Sequence, residues 1–420
     1  MLPMLPSKVL ALFLIFLVSN QSLADSYADA RDAMVVAYQV RDFDAMLVAA
    51  NEALDARPGY PGALFNLAYA KTLAEDPAGA LQILQQLAAA GVDYGVADIE
   101  ELAVLQSQPD WSSYAKAIQE LNQPVGEATV AFTHPAGDFV PEGIVADGDH
   151  LLLGSIRHGF IERLGMQPAT VSSPAAAGHW SVFGMRMGPA GGLWYVSAAV
   201  PEYANIDANS IGLTGLFRVD LKTGETTVRA VLPKQDAAMV LGDLVFADDN
   251  TIYATESLTG ALYRYTLDDG EFTQVIAPGT LRSMQGLVLD GSGKYLYVAD
   301  YVGGLFRVQL DDYSVQRVHS DAKTSLFGID GLYRYGNELI AIQNGIRPNR
   351  VAAFALSEDG LAISGSRILA SNLVEFDEPT LGTIVDDEFL FVANSHWGRF
   401  DREGNLPEAL IGPIVLRIKL

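Results

Sequence analysis

Three stretches of the chain, "PEGIVADGDH" from Pro141, "MQGLVLDGSG" from Met284 and "IDGLYRYGNE" from Ile329, each set an oxygen-bearing side chain before a glycine and an apolar run. The side chains are Glu142, Gln285 and Asp330. Two carboxylates and one amide brought together suit a hard, oxygen-seeking cation such as Ca²⁺. A second set of polar residues follows the next apolar run in each region: Ser155, Arg157 and His158, then Glu256, Asp300 and Asn344, then Asn394 with His396 and Trp397. Other chemistries lack their residues. The "DGSGK" at 290–294 has no further upstream glycine and no Ser or Thr after its lysine, and Tyr295 opens an apolar run where a phosphate loop needs a helix. Neither a G-x-S-x-G elbow nor an H-E-x-x-H helix occurs, and the histidines are scattered. The chain has no cysteine, which excludes thiolate metal sites, disulfides and cysteine nucleophiles.

Positioning such side chains requires elements that converge, and the sequence supplies them as a repeat. "PEGIVADGDHLLLGSI", "FGMRMGPAGGLWYVSA", "LGDLVFADDNTIYATES", "MQGLVLDGSGKYLYVADY", "IDGLYRYGNELIAIQNG" and "TLGTIVDDEFLFVANS" each read as strand, tight turn, strand. A third strand follows each, in "HGFIERL", "TGLFRVDL", "GALYRYTL", "GGLFRVQL", "NRVAAFAL" and "PIVLRIKL". Copies roughly 40 to 60 residues apart carry the four-strand period of a propeller blade. The expected fold is an all-β six-bladed β-propeller over 123–420. Because the last copy ends at its third strand, "ATVAFTH" at 128–134 is expected to supply the missing outer strand and leave no open edge. In this register "DGSGK" is a hairpin turn, rich in Gly and Asp because such turns need positive φ. The residues that open the innermost strands and face the central channel are Glu142, Phe183, Gly242, Gln285, Asp330 and Leu381.

Before the propeller, residues 25–122 have Ala and Leu at helical spacing, as in "YPGALFNLAYAKTLA" and "PAGALQILQQLAAAG", with Pro61 and Pro77 at first-turn positions and Gly91 as a stop. Helix pairs of this length resemble a short tetratricopeptide array, through to "ADIEELAVLQSQPDWSSYAKAI", and such arrays offer a groove to a protein partner. Residues 1–24 have a charged start, a short apolar run and a small-residue end, the pattern of a secretory signal, so an exported periplasmic or extracellular protein without a membrane span is expected. A formal net charge of −24 argues against nucleic acid or anionic membrane as partner.

On "PEGIVADGDHLLLGS", "MQGLVLDGSGKYLYVAD" and "IDGLYRYGNELIAIQNG" the chain resembles the regucalcin and gluconolactonase family of six-bladed propellers, kin to paraoxonases. The resemblance implies one divalent cation at the channel mouth, held by Glu142, Gln285 (where the family has asparagine) and Asp330. Asp243 is the nearest candidate in blade three, where no asparagine stands. It further implies hydrolysis of lactones or related esters, with Asp330 as general base and His158 or His396 assisting proton transfer. Arg157, Glu256, Asp300, Asn344, Asn394 and Trp397 are expected to line the substrate. Two alternatives stand beside this: a non-catalytic propeller that binds a small molecule or glycan, and an interaction scaffold built on the helices.

Overall fold

The computed structural model describes residues 26–166, 168–172, 180–200, 206–235, 238–401, 404–406 and 410–420. The expected secretory signal lies outside them. The chain divides into two compact units, the first ending at Leu121 and the second beginning at Asn122.

The first unit is helical. Helices α1 (Ser26–Gln39), α2 (Phe43–Ala56), α3 (Pro61–Leu73) and α4 (Pro77–Ala89) pack in sequence. Their starts are set locally: the carboxylates of Asp42 and Asp76 accept from the amides of Ala45 (3.0 Å) and Gly79 (2.9 Å). Pro61 and Pro77 occupy first-turn positions, where a missing N–H costs nothing. The stretch from Ala97 to Ile118, expected to continue the helical array, first tightens into 3-10 turns over Glu100–Ser107, and α5 (Trp111–Leu121) then closes the unit. No described helix is long and apolar enough to cross a membrane.

The second unit is a six-bladed β-propeller, six antiparallel sheets of four strands each. The innermost strands are Pro141–Asp147, Ser181–Met187, Leu241–Phe246, Met284–Leu289, Ile329–Tyr335 and Gly382–Val385. In the sixth sheet, Thr129–Thr133 pairs antiparallel with the C-terminal strand Ile414–Lys419, placing Thr129 opposite Arg417 and Thr133 opposite Ile414. The first and last strands of the propeller thus share one sheet, and the ring closes through hydrogen bonds. Apolar side chains fill the space between neighbouring blades all the way round. Tyr253, Leu262, Met284, Leu287 and Leu296 lie between blades three and four, and Leu390, Val392, Val415, Ile144 and Leu153 between six and one.

Two kinds of glycine hold this ring, for different reasons. Gly293 of "DGSGK" has φ +69 in the blade-four hairpin turn, with open space where a Cβ would stand. Gly286, next to Gln285, is at the inner rim: a Cβ there would stand 2.5 Å from Leu332 N and 2.6 Å from Asp330 O of the next blade. We therefore expect Gly286→Ala to lower unfolding free energy by about 3 kcal/mol or more, because backbone atoms of a neighbouring blade cannot move aside. Gly293→Ala should cost only about 1 kcal/mol, the price of a left-handed backbone for a residue with a Cβ. Urea denaturation of the two variants measures this, and equal losses would contradict the distinction.

Candidate functional site

Five innermost strands begin with a register shift against their partners: Pro141 to Ile144, Val182 to Met185, Leu241 to Leu244, Met284 to Leu287 and Ile329 to Leu332. Such bulges bend a strand and re-aim a side chain. The residues inside them include Glu142, Phe183, Gly242, Gln285 and Asp330, five of the six expected at the channel mouth; the sixth, Leu381, precedes an inner strand that pairs without a shift. Glu142 is buried, 7 % exposed, and its Oε2 accepts from the indole N–H of Trp397 at 2.9 Å. Asp330 Oδ2 accepts from Asn344 Nδ2 at 2.7 Å. Asn344 is itself fixed, receiving the Tyr301 hydroxyl at 2.9 Å and donating also to the carbonyl of Pro379 at 3.0 Å. Gln285 donates to Ser283 Oγ (3.1 Å) and accepts from Ser257 Oγ (3.3 Å). Its Oε1 lies 3.7 Å from where a Cβ on Gly242 would stand, so the longer amide leans toward the blade-three position that has no side chain.

Glu378 belongs to no repeated motif and is not among the expected site residues. It precedes the blade-six position Leu381 by three residues, and its Oε2 accepts from the Gly398 amide at 2.9 Å. Glu142, Asp330 and Glu378 interact through their charges. Burial, reinforced by Asp330, holds the Glu142 carboxyl well above the usual range, against the pull of the Trp397 hydrogen bond. Burial pushes Asp330 up to about 7; the Asn344 hydrogen bond opposes this, and Glu378 and Asp243 add to it. Burial also raises Glu378. Three non-glycine residues at or beside the mouth, Val140, Glu378 and His396, have positive φ of 46°, 65° and 65°. Strain of this kind persists only where the surrounding structure imposes it, and it gathers at functional sites.

Several expected site residues have other roles. Glu256 does not face a ligand: its carboxylate accepts from the amides of Val240 (2.8 Å), Leu258 (3.0 Å) and Thr259 (2.7 Å), and from the Thr259 hydroxyl. Asp300 does the same in blade four, accepting from the amides of Arg282 (2.6 Å), Ser283 (3.3 Å), Val302 (3.2 Å) and Gly303 (2.9 Å). Both stand at one repeat position, paired with Leu241 and Met284, where blade one has Ser155 and blade five Gln343. That position pins the loop leading into the inner strand. Asn394 likewise braces a loop, accepting from Ile414 N at 2.6 Å. Asp243 is not an available ligand, because its carboxylate pairs with Arg186 at 2.8 Å.

His396 is turned inward, 3 % exposed, with Nε2 2.7 Å from the carbonyl of Ile411. His158 stacks on Phe160 and stands 3.6 Å from Asp138. Arg157 donates to the Gly404 carbonyl at 3.1 Å and lies 5.7 Å from the Phe400 ring, so it supports the blade-six loop that carries Trp397. Trp397 and Asn344 hold the two slot acids, Glu142 and Asp330.

Glu142, Gln285 and Asp330 offer only oxygen donors, the chemistry a hard cation takes. Among the described residues no three His, Asp or Glu side chains come close enough to share one ion, so a cation here would need the Gln285 amide as its third protein oxygen.

No protein-family model matches the chain, and no curated protein matches it. Among solved structures it is similar to virginiamycin B lyase from Staphylococcus aureus (13 % identity, 70 % of this chain and 100 % of that one, TM-score 0.45). It is also similar to an oxidoreductase assigned as a glucose dehydrogenase from Thermus thermophilus (15 %, 70 % and 99 %, TM-score 0.46). A third is a protein assigned as a gluconolactonase (15 %, 74 % and 96 %, TM-score 0.45). At these values the likeness says nothing about activity.

The two classes of acid should respond oppositely to mutation. Asp300→Ala and Glu256→Ala each strand several backbone amides and should lower unfolding free energy by about 2 to 4 kcal/mol. Asp330→Asn removes a part-buried carboxylate crowded by other acids while keeping an oxygen for Asn344, so in EDTA it should leave stability unchanged or raise it. Chemical denaturation of the three variants checks this; a large loss for Asp330→Asn would mean its role is structural.

Proposed function

We propose that the channel mouth of this propeller binds a divalent cation of the calcium type through Glu142, Gln285 and Asp330, and that the protein hydrolyses lactones or related esters of small molecules there. The observation that carries this reading is that three oxygen-bearing side chains stand at equivalent bulge positions, with Glu142 buried and Asp330 part-buried, the two acids held in place by Trp397 and Asn344. Buried acids crowding one another are unfavourable unless a proton or a cation joins them, and that is the arrangement expected of a site rather than of a core.

The chemistry a bound cation would supply is polarisation of the substrate carbonyl. The protein's own groups do the rest. Asp330, oriented by Asn344, is placed to take a proton from an attacking water. Glu142, oriented by Trp397, holds its oxygens toward the same space. Phe183 and Leu381, both buried at two of the three remaining slots, give the mouth apolar positions against which the hydrocarbon part of a substrate can rest. Export through the amino-terminal signal and partner binding by the helical unit are proposals of the same standing, resting on the sequence pattern.

Elemental analysis and Ca²⁺ calorimetry on the purified protein test the cation: Asp330→Ala should abolish binding, and Gln285→Asn should retain or tighten it. Absence of any copurifying ion, with melting unmoved by Ca²⁺ or EDTA, would rule out this reading.

A screen of aldono-lactones and aryl esters tests the reaction. Once a substrate turns over, Asp330→Asn should reduce kcat roughly 10² to 10⁴-fold, the usual worth of a general base. Tight binding of such molecules without turnover, in protein that holds its cation, would establish a binding module instead.

A further inference from the structure

After the slot residue, five blades place a glycine: Gly143, Gly184, Gly286, Gly331 and Gly382. Blade three places Asp243 there. The side chain fits because Gly184 of blade two is opposite: a Cβ on Gly184 would stand 2.6 Å from Asp243 Cα. Lying over that glycine, the buried carboxylate reaches Arg186 Nη2 at 2.8 Å. Arg186 is three residues past Phe183 on the same inner strand. Matching positions in other blades are the apolar Val145, Val245, Val288 and Ile384, and in blade five Tyr333. The Arg186 guanidinium donates to the carbonyl of Met185 at 2.8 Å and lies 5.5 Å from the centre of the Tyr333 ring, whose hydroxyl accepts from Gly382 N at 2.7 Å. One cationic side chain therefore links blades two, three and five within the channel, next to a carboxylate whose charge reaches both Glu142 and Asp330.

We propose that Arg186 sets the cation affinity of the channel mouth. By engaging Asp243 it withholds a blade-three ligand, and as a fixed positive charge inside the ring it opposes a second cation, so that a divalent ion is bound weakly and exchanges readily. This rests on the cation site proposed above, and the two can fail separately.

The test is Ca²⁺ calorimetry on the full chain and on Arg186→Gln, Asp243→Asn and the double variant, each checked by thermal melting. Arg186→Gln should bind at least about tenfold tighter, since a repelling charge is gone and a carboxylate is freed. Asp243→Asn should bind at least about tenfold weaker, its guanidinium left uncompensated, and the double variant should lie between the two. A folded Arg186→Gln within twofold of the unaltered protein overturns the inference. Should Arg186→Gln fail to fold, the double variant must still bind more tightly than Asp243→Asn, and equality there overturns it too. If the unaltered chain binds no ion but Arg186→Gln does, the role of Arg186 is supported and the native chain loses its cation. If the unaltered chain binds and none of the three changes matters, Arg186 has no such role while the proposed function stands. Absence of binding in all four overturns both.

Discussion

The close approach of six inner strands around one axis is the constraint on which the rest of this propeller depends. At the rim a Cβ on Gly286 would meet the backbone of the next blade, and one on Gly184 would meet Asp243. Glycine after the slot residue lets the strands come together, and the bulge at the same place swings the preceding side chain into the channel mouth. Packing that closes the ring and geometry that sets Glu142, Gln285 and Asp330 at equivalent bulge positions are therefore one event. Blade three shows the same rule from the other side, since Asp243, with a side chain where other blades have none, fits because its neighbour is Gly184, and its charge is met by Arg186.

Acids in this propeller serve in two ways, and burial alone does not separate them. Glu256 and Asp300 are surrounded by backbone N–H groups, and these bonds fix the loops entering blades three and four; in Glu256 they oppose the upward push of burial. Glu142, Asp330 and Glu378 each have far fewer donors and one another for company, so their charged forms are disfavoured. The first arrangement stabilises the fold. The second costs stability, which is the usual mark of residues retained for what they bind or do.

Around the mouth the sixfold repeat is also uneven. Blade six puts Leu381 in the slot but brings Glu378 in from its preceding turn, and its loop carries Trp397 to the acid of blade one and to Phe183 of blade two. The positive φ values of Glu378 and His396 fall in the same region, where the backbone follows the needs of the site more than those of the repeat.

By itself the sequence determined the number of blades, the closing strand, the helical unit before them and the three slot residues. Alternation, turn glycines and repeat length are local properties, readable from neighbours along the chain. It also placed Glu256, Asp300 and Asn394 near the channel face, yet could not tell a ligand-facing acid from a loop brace, because that depends on which backbone amides fold around it. Glu378 went unnoticed for a related reason: it belongs to no repeat position and reaches the mouth only through its turn. Likewise nothing in "FGMRMG" and "VLGDLV" links Arg186 to Asp243. They are 57 residues apart in the chain and meet only because two inner strands lie side by side at the axis. Charge pairing across blades is a property of the closed ring, and only the tertiary structure decides it.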